Sequence, residues 1–305
     1  MDTIFDDVFR TILEKMPQLV IPLINEVFGT SYPENIPIQQ MRNEYHEKDG
    51  TVITDSMLKI GRDFYHVECQ STTDNTMAIR MFRYDIYATL EHAEQHGNLY
   101  KARFPKSCVL FLRSTKSTPD ELMVNLVFPD DSEHIYRIPT IKLVNYTKEA
   151  IFEKRLLMLL PFYVLRYEKQ ARELEANPDR LNRLLDEYRK ICERLETAVG
   201  EDKPGLYSDL IELIIRVASY IFRETKNVRK EFGDMGGKVL ELKSEKLIEQ
   251  GIEQGIKQGR EEGIEQGEER FGALVRILLK DGRSADIEKI SVNKEYREKL
   301  YKELL

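Results

Sequence analysis

The residues that decide the fold form one stretch, ITDSMLKIGRDFYHVECQS, at positions 53–71. Apolar, β-branched and aromatic residues are frequent in both halves, and the Gly-Arg-Asp sequence at 61–63 between them is a turn signal. Two strand-like runs joined by so short a connection predict an antiparallel hairpin, with strands at 51–60 and 64–70.

The second strand of this hairpin has two chemically different faces. Side chains alternate between the faces of a strand, so the residues at 65, 67 and 69 (Tyr, Val, Cys) point into a core. His66, Glu68 and Gln70 point the other way. A carboxylate and an amide in an apolar sheet cost free energy unless they bind something, which makes Glu68 the strongest candidate for a functional group. His66 shares this face, although a strand histidine is more often solvated.

Asp55 lies on the first strand of the hairpin, where it can come alongside Glu68. Two carboxylates that converge with a main-chain carbonyl form a site of hard oxygen ligands, which suits Mg²⁺ or Mn²⁺. The alternative for Asp55 is structural, because an aspartate can begin a strand by hydrogen bonding within its own turn. Gln70 can likewise be a surface amide that binds no ligand.

The rest of the first half predicts an α/β fold around this hairpin. Apolar residues at helical spacing cover 5–28, with breaks at Pro17 and Pro22, and recur over 76–96. Further strands are predicted at 38–46, 107–112, 122–128 and 135–143, of which the last two form a hairpin at the sheet edge. The predicted order is helix, mixed sheet with an antiparallel hairpin, helix, strand.

After residue 147 the pattern is almost entirely helical. Helices are predicted at 148–175 with a kink at Pro161, at 180–198 and at 206–230, and two short helices flank a turn near residue 282. The chain is therefore an α/β region followed by an all-helical C-terminal region.

A glycine repeat interrupts this helical region. Its members stand four residues apart: Gly251, Gly255, Gly259, Gly263 and Gly267. A four-residue step keeps them on one slowly drifting stripe of a helix. Each interior glycine costs about 1 kcal/mol relative to alanine, so the repeat favours close approach of a partner helix and a homo-oligomer formed through this segment. The alternative is a solvated, charged linker.

Composition excludes several classes of protein. The 305 residues are 41% hydrophobic and 9% aromatic, which excludes a disordered chain. The longest apolar runs fall short of the roughly 20 residues of a membrane helix, and the acidic N-terminus does not resemble a signal peptide. Three widely spaced cysteines (Cys69, Cys108, Cys192) favour reduced thiols and a cytoplasmic location. With a net charge of -7, contact with nucleic acid needs a local basic patch or a bridging metal.

The order and spacing of these elements resemble the PD-(D/E)xK nuclease superfamily and, within it, the Rpn-like group of recombination-promoting nucleases and transposases. The matching segments are DDVFR at 6–10, TDS at 54–56, HVECQS at 66–71 and MAIRMFRYD at 77–85. The glycine repeat is also similar to that group. The resemblance covers the first half of the chain and the repeat, and it implies a restriction-endonuclease-like core.

The resemblance implies a role for each matching residue. Asp55 and Glu68 would hold Mg²⁺ or Mn²⁺ with the main-chain carbonyl of Cys69, and Asp7 of the first helix would help to hold the metal. Negative charge is favourable at a helix N-terminus in any case, so Asp7 also has a structural explanation. Gln70 departs from the pattern, which usually has lysine there. An amide can orient a water molecule, but it supplies no positive charge.

Positive charge can instead come from a cation elsewhere, for which Arg80 and Lys59 are the candidates near this stretch of sequence. Arg80 and Tyr84 lie one turn apart on the helix after the hairpin, from which they can reach the site or a phosphate. The alternative is that both residues simply line the edge of an amphipathic helix.

These observations together predict four segments: a nuclease-like domain at 1–145, a helical region at 146–240, a glycine-repeat helix at 241–270 and a helical tail at 271–305. The activity that the resemblance implies is metal-dependent hydrolysis of DNA phosphodiester bonds, linked to recombination or mobile elements. One alternative is a catalytically degenerate nuclease fold that binds DNA or protein. Another is an assembly module whose working part is the glycine-repeat helix.

Overall fold

A computed structural model describes residues 4–41, 44–47, 50–53, 56–72, 74–200 and 203–305. The N-terminal region is α/β with a mixed six-stranded sheet, and an all-helical C-terminal region follows, as predicted. The chain divides into two compact units, Met1–Leu240 and Glu241–Leu305. The first unit holds both the sheet and most of the helices.

The chain begins with the broken helix that the sequence predicts. Helix α1 (Ile4–Lys15) buries one apolar stripe, and a 3-10 turn (Pro17–Val20) separates it from α2 (Ile21–Phe28). Each proline stands in the first turn of its element, where the missing N–H is tolerated. Gly29 then ends α2 with φ of 62°, a left-handed conformation that favours glycine.

The described residues include ten strands. They are β1 (Gln39–Gln40), β2 (Glu44–Glu47), β3 (Gly50–Ile53), β4 (Met57–Ile60), β5 (Asp63–Gln70), β6 (Glu94–His96), β7 (Leu99–Lys101), β8 (Lys106–Phe111), β9 (Glu121–Val127) and β10 (Glu133–Lys142). The main sheet has the order β1-β4-β5-β8-β10-β9, while β2–β3 and β6–β7 form separate two-stranded sheets. The predicted antiparallel hairpin is β4–β5, and the predicted edge hairpin is β9–β10.

The predicted strand at 51–60 is wrong in one respect, because the structure divides it into β3 and β4, which belong to different sheets. The predicted strand at 38–46 divides in the same way into β1 and β2.

Ser56 lies just before β4 and explains why the β4–β5 pairing begins only at Met57. Its hydroxyl donates to the carbonyl oxygen of Val67 at 2.8 Å and accepts from the Val67 N–H at 3.2 Å, so a side chain replaces the ladder there.

Helix α3 (Met77–Glu91) is the crossover that makes β5 and β8 parallel. The predicted helix at 76–96 is wrong at its C-terminal end, where Glu94–His96 is strand β6. Gly97 starts the tight β6–β7 turn and has φ of 65°. A positive φ at this position is what a two-residue hairpin loop requires.

The core lies on the face of β5 that the alternation predicts. Tyr65, Val67 and Cys69 are buried there among residues of α1, α2 and the later helices. Cys108 and Cys192 are buried as well, and all three cysteines are free thiols.

The C-terminal region contains seven α-helices among the described residues. They are α4 (Lys148–Glu153), α5 (Ala171–Ala176), α6 (Pro178–Val199), α7 (Pro204–Ile221), α8 (Lys226–Lys280), α9 (Ser284–Val292) and α10 (Lys294–Leu304). The continuous helix predicted at 148–175 is wrong, because a 3-10 segment (Leu157–Gln170) containing Pro161 separates α4 from α5. No helix in the described ranges has the length and apolar character needed to cross a bilayer.

The helix predicted at 206–230 is also wrong, because α7 ends at Ile221 and α8 begins at Lys226. The carboxylate of Glu175, on α5, accepts the N–H groups of Asn227 and Val228 at 3.1 and 3.0 Å. The first N–H groups of a helix have no acceptor within the helix itself. Glu175 therefore caps α8 and fixes where it starts.

In the second unit, the end of α8 packs with α9 and α10. Leu274, Leu278, Ile290, Leu300 and Tyr301 form their buried cluster. The two short tail helices predicted around residue 282 are therefore the last turns of α8 and the α9–α10 pair, joined at Gly282 with φ of 69°.

Candidate functional site

Glu68 lies near the C-terminal end of β5, on the face that α3 covers. It is 3% exposed, and its backbone pairs with Val109 of β8 in the middle of the sheet. Its Oε1 is 2.6 Å from Nη2 of Arg80 on α3. A carboxylate removed from water in this way needs charged partners, and the first turns of α3 supply one.

Arg80 connects Glu68 to a second acid. Its Nη1 donates to Oδ2 of Asp74 at 2.8 Å, while 29% of its side chain stays exposed. Burial lowers the pKa of Arg80, but the charges of Glu68 and Asp74 raise it more. Burial raises the pKa of Asp74, but hydrogen bonds from Thr76 and the charge of Arg80 lower it more. Arg80 is therefore a fixed cation at the edge of the site.

Tyr84 stands one turn further along α3 and contacts the same groups. Its ring lies 5.9 Å from the Arg80 guanidinium carbon and 6.1 Å from the His66 ring. Burial raises the pKa of its hydroxyl. The structure thus brings Arg80 and Tyr84 together beside Glu68, and both interpretations of these residues, a site role and the edge of an amphipathic helix, stay open.

His66 is fully buried, so the expectation of a solvated histidine is wrong. Its Nδ1 is 2.7 Å from Oδ1 of Asp85, and its Nε2 is 3.4 Å from Oε2 of Glu68. Burial lowers the pKa of His66, but the charge and hydrogen bond of Asp85, and then those of Glu68, raise it to about 10. The imidazole is therefore a cation at neutral pH, between two carboxylates.

Two residues of this network were missed at the sequence level. Asp85 of α3 is fully buried, and the hydroxyl of Tyr136, on β10, donates to its Oδ2. A signal for Asp85 exists in the sequence, since it stands in the stripe of α3 that also holds Met77, Met81 and Ala88. A charged residue within an apolar stripe indicates a buried partner. No comparable signal marks Tyr136.

The other predicted site residues have different surroundings. Asp7 is exposed on α1 and forms an ion pair with Arg216 of α7. Lys59 of β4 lies with its Nζ 5.5 Å from the Phe64 ring centre, and Asp55 lies outside the described residues. Gln70 is buried at the end of β5.

The main chain around Gln70 bears on the predicted carbonyl ligand. The carbonyl oxygen of Gln70 accepts the Leu112 N–H at 2.9 Å, toward the β8 side of the strand. Carbonyls alternate along a strand, so that of Cys69 points to the β4 side. The predicted carbonyl ligand therefore lies on the side of β5 that faces the first strand of the hairpin.

The side chains around Glu68 can be compared with the ligands that a divalent cation needs. Glu68 offers hard oxygen atoms, which suit Mg²⁺ or Mn²⁺. In the part of the chain that the structure describes, no group of three His, Cys, Asp or Glu side chains could hold a metal ion. The described residues therefore fit one carboxylate ligand of such a centre, and Asp55, the second carboxylate predicted from the sequence, lies outside them.

Comparisons with known proteins do not identify a family for this chain. A scan against protein-family models, a search of curated proteins and a search of solved structures each found no match to this chain. The case for a function accordingly rests on the residues around Glu68.

Proposed function

We propose that the N-terminal region hydrolyses DNA phosphodiester bonds with the help of a divalent metal ion, and that Glu68 is the central residue. The observation that carries the proposal is the burial of a carboxylate at 3% exposure within the sheet, between a guanidinium and an imidazolium. An apolar residue would be easier to accommodate at this position, so an acidic side chain here favours a chemical role.

In this proposal Glu68, Asp55 and the main-chain carbonyl of Cys69 would hold Mg²⁺ or Mn²⁺. A cation bound there polarises the phosphate and so makes phosphorus more open to attack. Asp7 is left out of the ligand set, because its carboxylate is paired with Arg216 on α7.

The chain's own side chains perform the remaining tasks. Arg80 places a guanidinium 2.6 Å from Glu68, which supplies at the site the positive charge that Gln70 cannot. The Gln70 amide both donates and accepts hydrogen bonds, so it can orient the attacking water. Tyr84 and His66 hold Arg80 and Glu68 in place by contact and charge.

The test is cleavage of plasmid and linear DNA with Mg²⁺ or Mn²⁺ by the wild type and by Glu68→Gln and Asp55→Asn. We expect both substitutions to lower cleavage by at least about a hundredfold, the size of effect seen when a key electrostatic group is removed. Glu187→Gln is the matched control, since Glu187 is another largely buried carboxylate, bonded to Lys148 and Tyr167. Equal cleavage by wild type and Glu68→Gln would refute the proposal.

One observation favours a second function, a degenerate nuclease fold that binds DNA or protein without turnover. Gln70 stands in place of lysine, and both oxygens of Glu68 already face cations. Calorimetric titration with Mn²⁺ separates the two functions when it is paired with a Gln70→Lys variant. Metal binding without cleavage by the wild type, together with cleavage by Gln70→Lys, would establish the degenerate fold.

We also propose that the chain forms homo-oligomers through α8. Ile252, Ile256 and Ile264 are 59%, 67% and 53% exposed on this helix. A Cβ added at Gly259, Gly263 or Gly267 would meet nothing within 4 Å in the described structure. These three glycines therefore have no packing reason among the described residues, which supports close approach of a second helix.

Sedimentation of the full chain tests this assembly. Gly263→Leu is expected to shift the chain toward monomer. Glu261→Leu is the control, because two residues correspond to about 200° around a helix and place it on another side. A monomeric wild type would refute the proposed oligomer.

A cytoplasmic location is proposed too, on the ground that Cys69, Cys108 and Cys192 are buried free thiols.

A further inference from the structure

A cleft of about 600 Å³ lies between the β4–β5 turn and the β6–β7 hairpin. Four of its lining side chains are cationic and one is acidic: Lys59, Arg62, Lys101, Arg103 and Glu94. Two separate parts of the fold contribute the cations. Lys59 and Arg62 come from the main sheet and its turn, whereas Lys101 and Arg103 come from the separate hairpin and the residues after it.

Little of this positive charge is neutralised within the chain. Arg103 lies 3.7 Å from Asp63 in an exposed pair, which is a weak interaction in water. Within the described ranges, no carboxylate forms an ion pair with Lys59, Arg62 or Lys101. Because the whole chain carries a net charge of -7, a local cluster of this kind is the basic patch that contact with a polyanion requires.

The cleft also contains stacked rings. Phe64 and His92 lie parallel within 10°, with ring centres 5.1 Å apart, and both are only partly buried. Tyr100 is exposed on the adjoining hairpin, next to Lys101. Cations that meet phosphates, together with ring faces that meet bases, are the combination found in sites for single-stranded nucleic acid. A site for phosphate alone would need only the cations.

We propose that this basic cleft, formed by the four cations with Phe64 and His92, binds single-stranded DNA at a place separate from Glu68. Phe64 and Glu68 lie on the same face of β5, four residues or about 13 Å apart, and the buried His66 lies between them. The cleft therefore holds a strand without contact with the candidate catalytic residues. The inference rests on the proposed function only in taking DNA as the ligand.

The experiment measures binding of a fluorescein-labelled thymidine oligonucleotide to the full chain by anisotropy, in EDTA so that no cleavage occurs. Four phosphate contacts predict a slope of about -2.8 for log affinity against log salt, a loss of about 50-fold between about 50 and 200 mM. Lys101→Glu/Arg103→Glu removes two contacts. The slope is then expected to fall to about -1.4, a loss of about 7-fold over the same range, with weaker binding throughout.

The matched control is Arg183→Glu/Lys190→Glu, two exposed cations of α6 whose reversal changes the net charge equally. The control is expected to keep the wild-type slope. Equal weakening in both variants would overturn the proposal, because net charge alone would then explain binding. Absence of binding by the wild type would overturn it as well, and so would inorganic polyphosphate that competes as well as the unlabelled oligonucleotide.

Failure of this inference is distinguishable from failure of the proposed function. Glu68→Gln is expected to lose cleavage but keep oligonucleotide binding in EDTA. If the cleft variant binds normally while Glu68→Gln loses cleavage, the cleft is refuted and the nuclease stands. If wild type binds through the cleft but cleaves no DNA with either metal, the nuclease is refuted and the cleft stands.

Discussion

Replacing Asp85 by asparagine removes one charge from an ion pair that has no contact with water. Asp85 and His66 are both fully buried, and Oδ1 of the acid lies 2.7 Å from Nδ1 of the imidazole. The asparagine keeps the shape of the side chain and can still accept the Tyr136 hydroxyl. The substitution therefore tests the charge rather than the packing.

The expected loss is large because His66 would keep a buried charge without its nearest partner. Removal of one member of a buried pair costs about 3–5 kcal/mol of unfolding free energy. Glu68 remains 3.4 Å from Nε2 and still offsets part of the imidazolium charge, so we expect about 3 kcal/mol, at the lower end. Domains are usually stable by about 5–15 kcal/mol, so the variant should fold and the loss should be measurable.

The assay is urea unfolding at neutral pH, with Glu121→Gln as the control. Glu121 pairs with Arg137 at 2.6 Å, but both side chains are partly exposed, so this loss should be within about 1 kcal/mol. Adding His66→Gln to Asp85→Asn should restore part of the stability, with a coupling energy of about 1–3 kcal/mol. Equal small losses in Asp85→Asn and Glu121→Gln, or full additivity with His66→Gln, would refute a buried ion pair.

Three further predictions follow from other contacts. Glu175→Ala removes the cap from two N–H groups at the start of α8 and should lower the unfolding free energy by about 0.5–2 kcal/mol in urea titration, whereas no loss would mean that solvent serves equally well. Burial raises the pKa of Glu187, but hydrogen bonds from Lys148 and Tyr167 lower it by more, so that the pKa lies below its usual 4.5. Its contribution to stability is therefore present above pH 4.5 and lost as the pH falls through the lower folded pKa, so the Tm difference between wild type and Glu187→Gln should shrink in acid; a constant difference would contradict this sign. Arg80→Gln should lower DNA cleavage about 10²–10³-fold, and full activity would show that its charge is not used.

Patterns of short range predicted the central hairpin and its core face. The alternation at 65, 67 and 69 depends only on strand geometry, and Tyr65, Val67 and Cys69 are buried as expected. The crossover helix and the strand after it follow from apolar periodicity in the same way. Each of these inferences uses information carried within a few neighbouring residues.

Features that depend on distant residues were not predictable. The start of α8 depends on Glu175, which lies about fifty residues before the N–H groups that it caps. The burial of His66 depends on α3 and on Tyr136 of β10. An alternating pattern shows that a side chain points away from the core, but it does not show what covers that second face.

The charges around Glu68 suit a divalent cation better than a phosphate that approaches without one. Asp74, Arg80, Glu68, His66 and Asp85 form a continuous chain in which negative and positive groups alternate, and which begins and ends with an acid. The described cluster therefore contains three acidic side chains and two basic ones, Arg80 and His66. A phosphate that approaches this cluster alone meets net repulsion, whereas a divalent cation is attracted. In our proposal, affinity for DNA without metal would come from the basic cleft, whose four cations carry the charge that it needs.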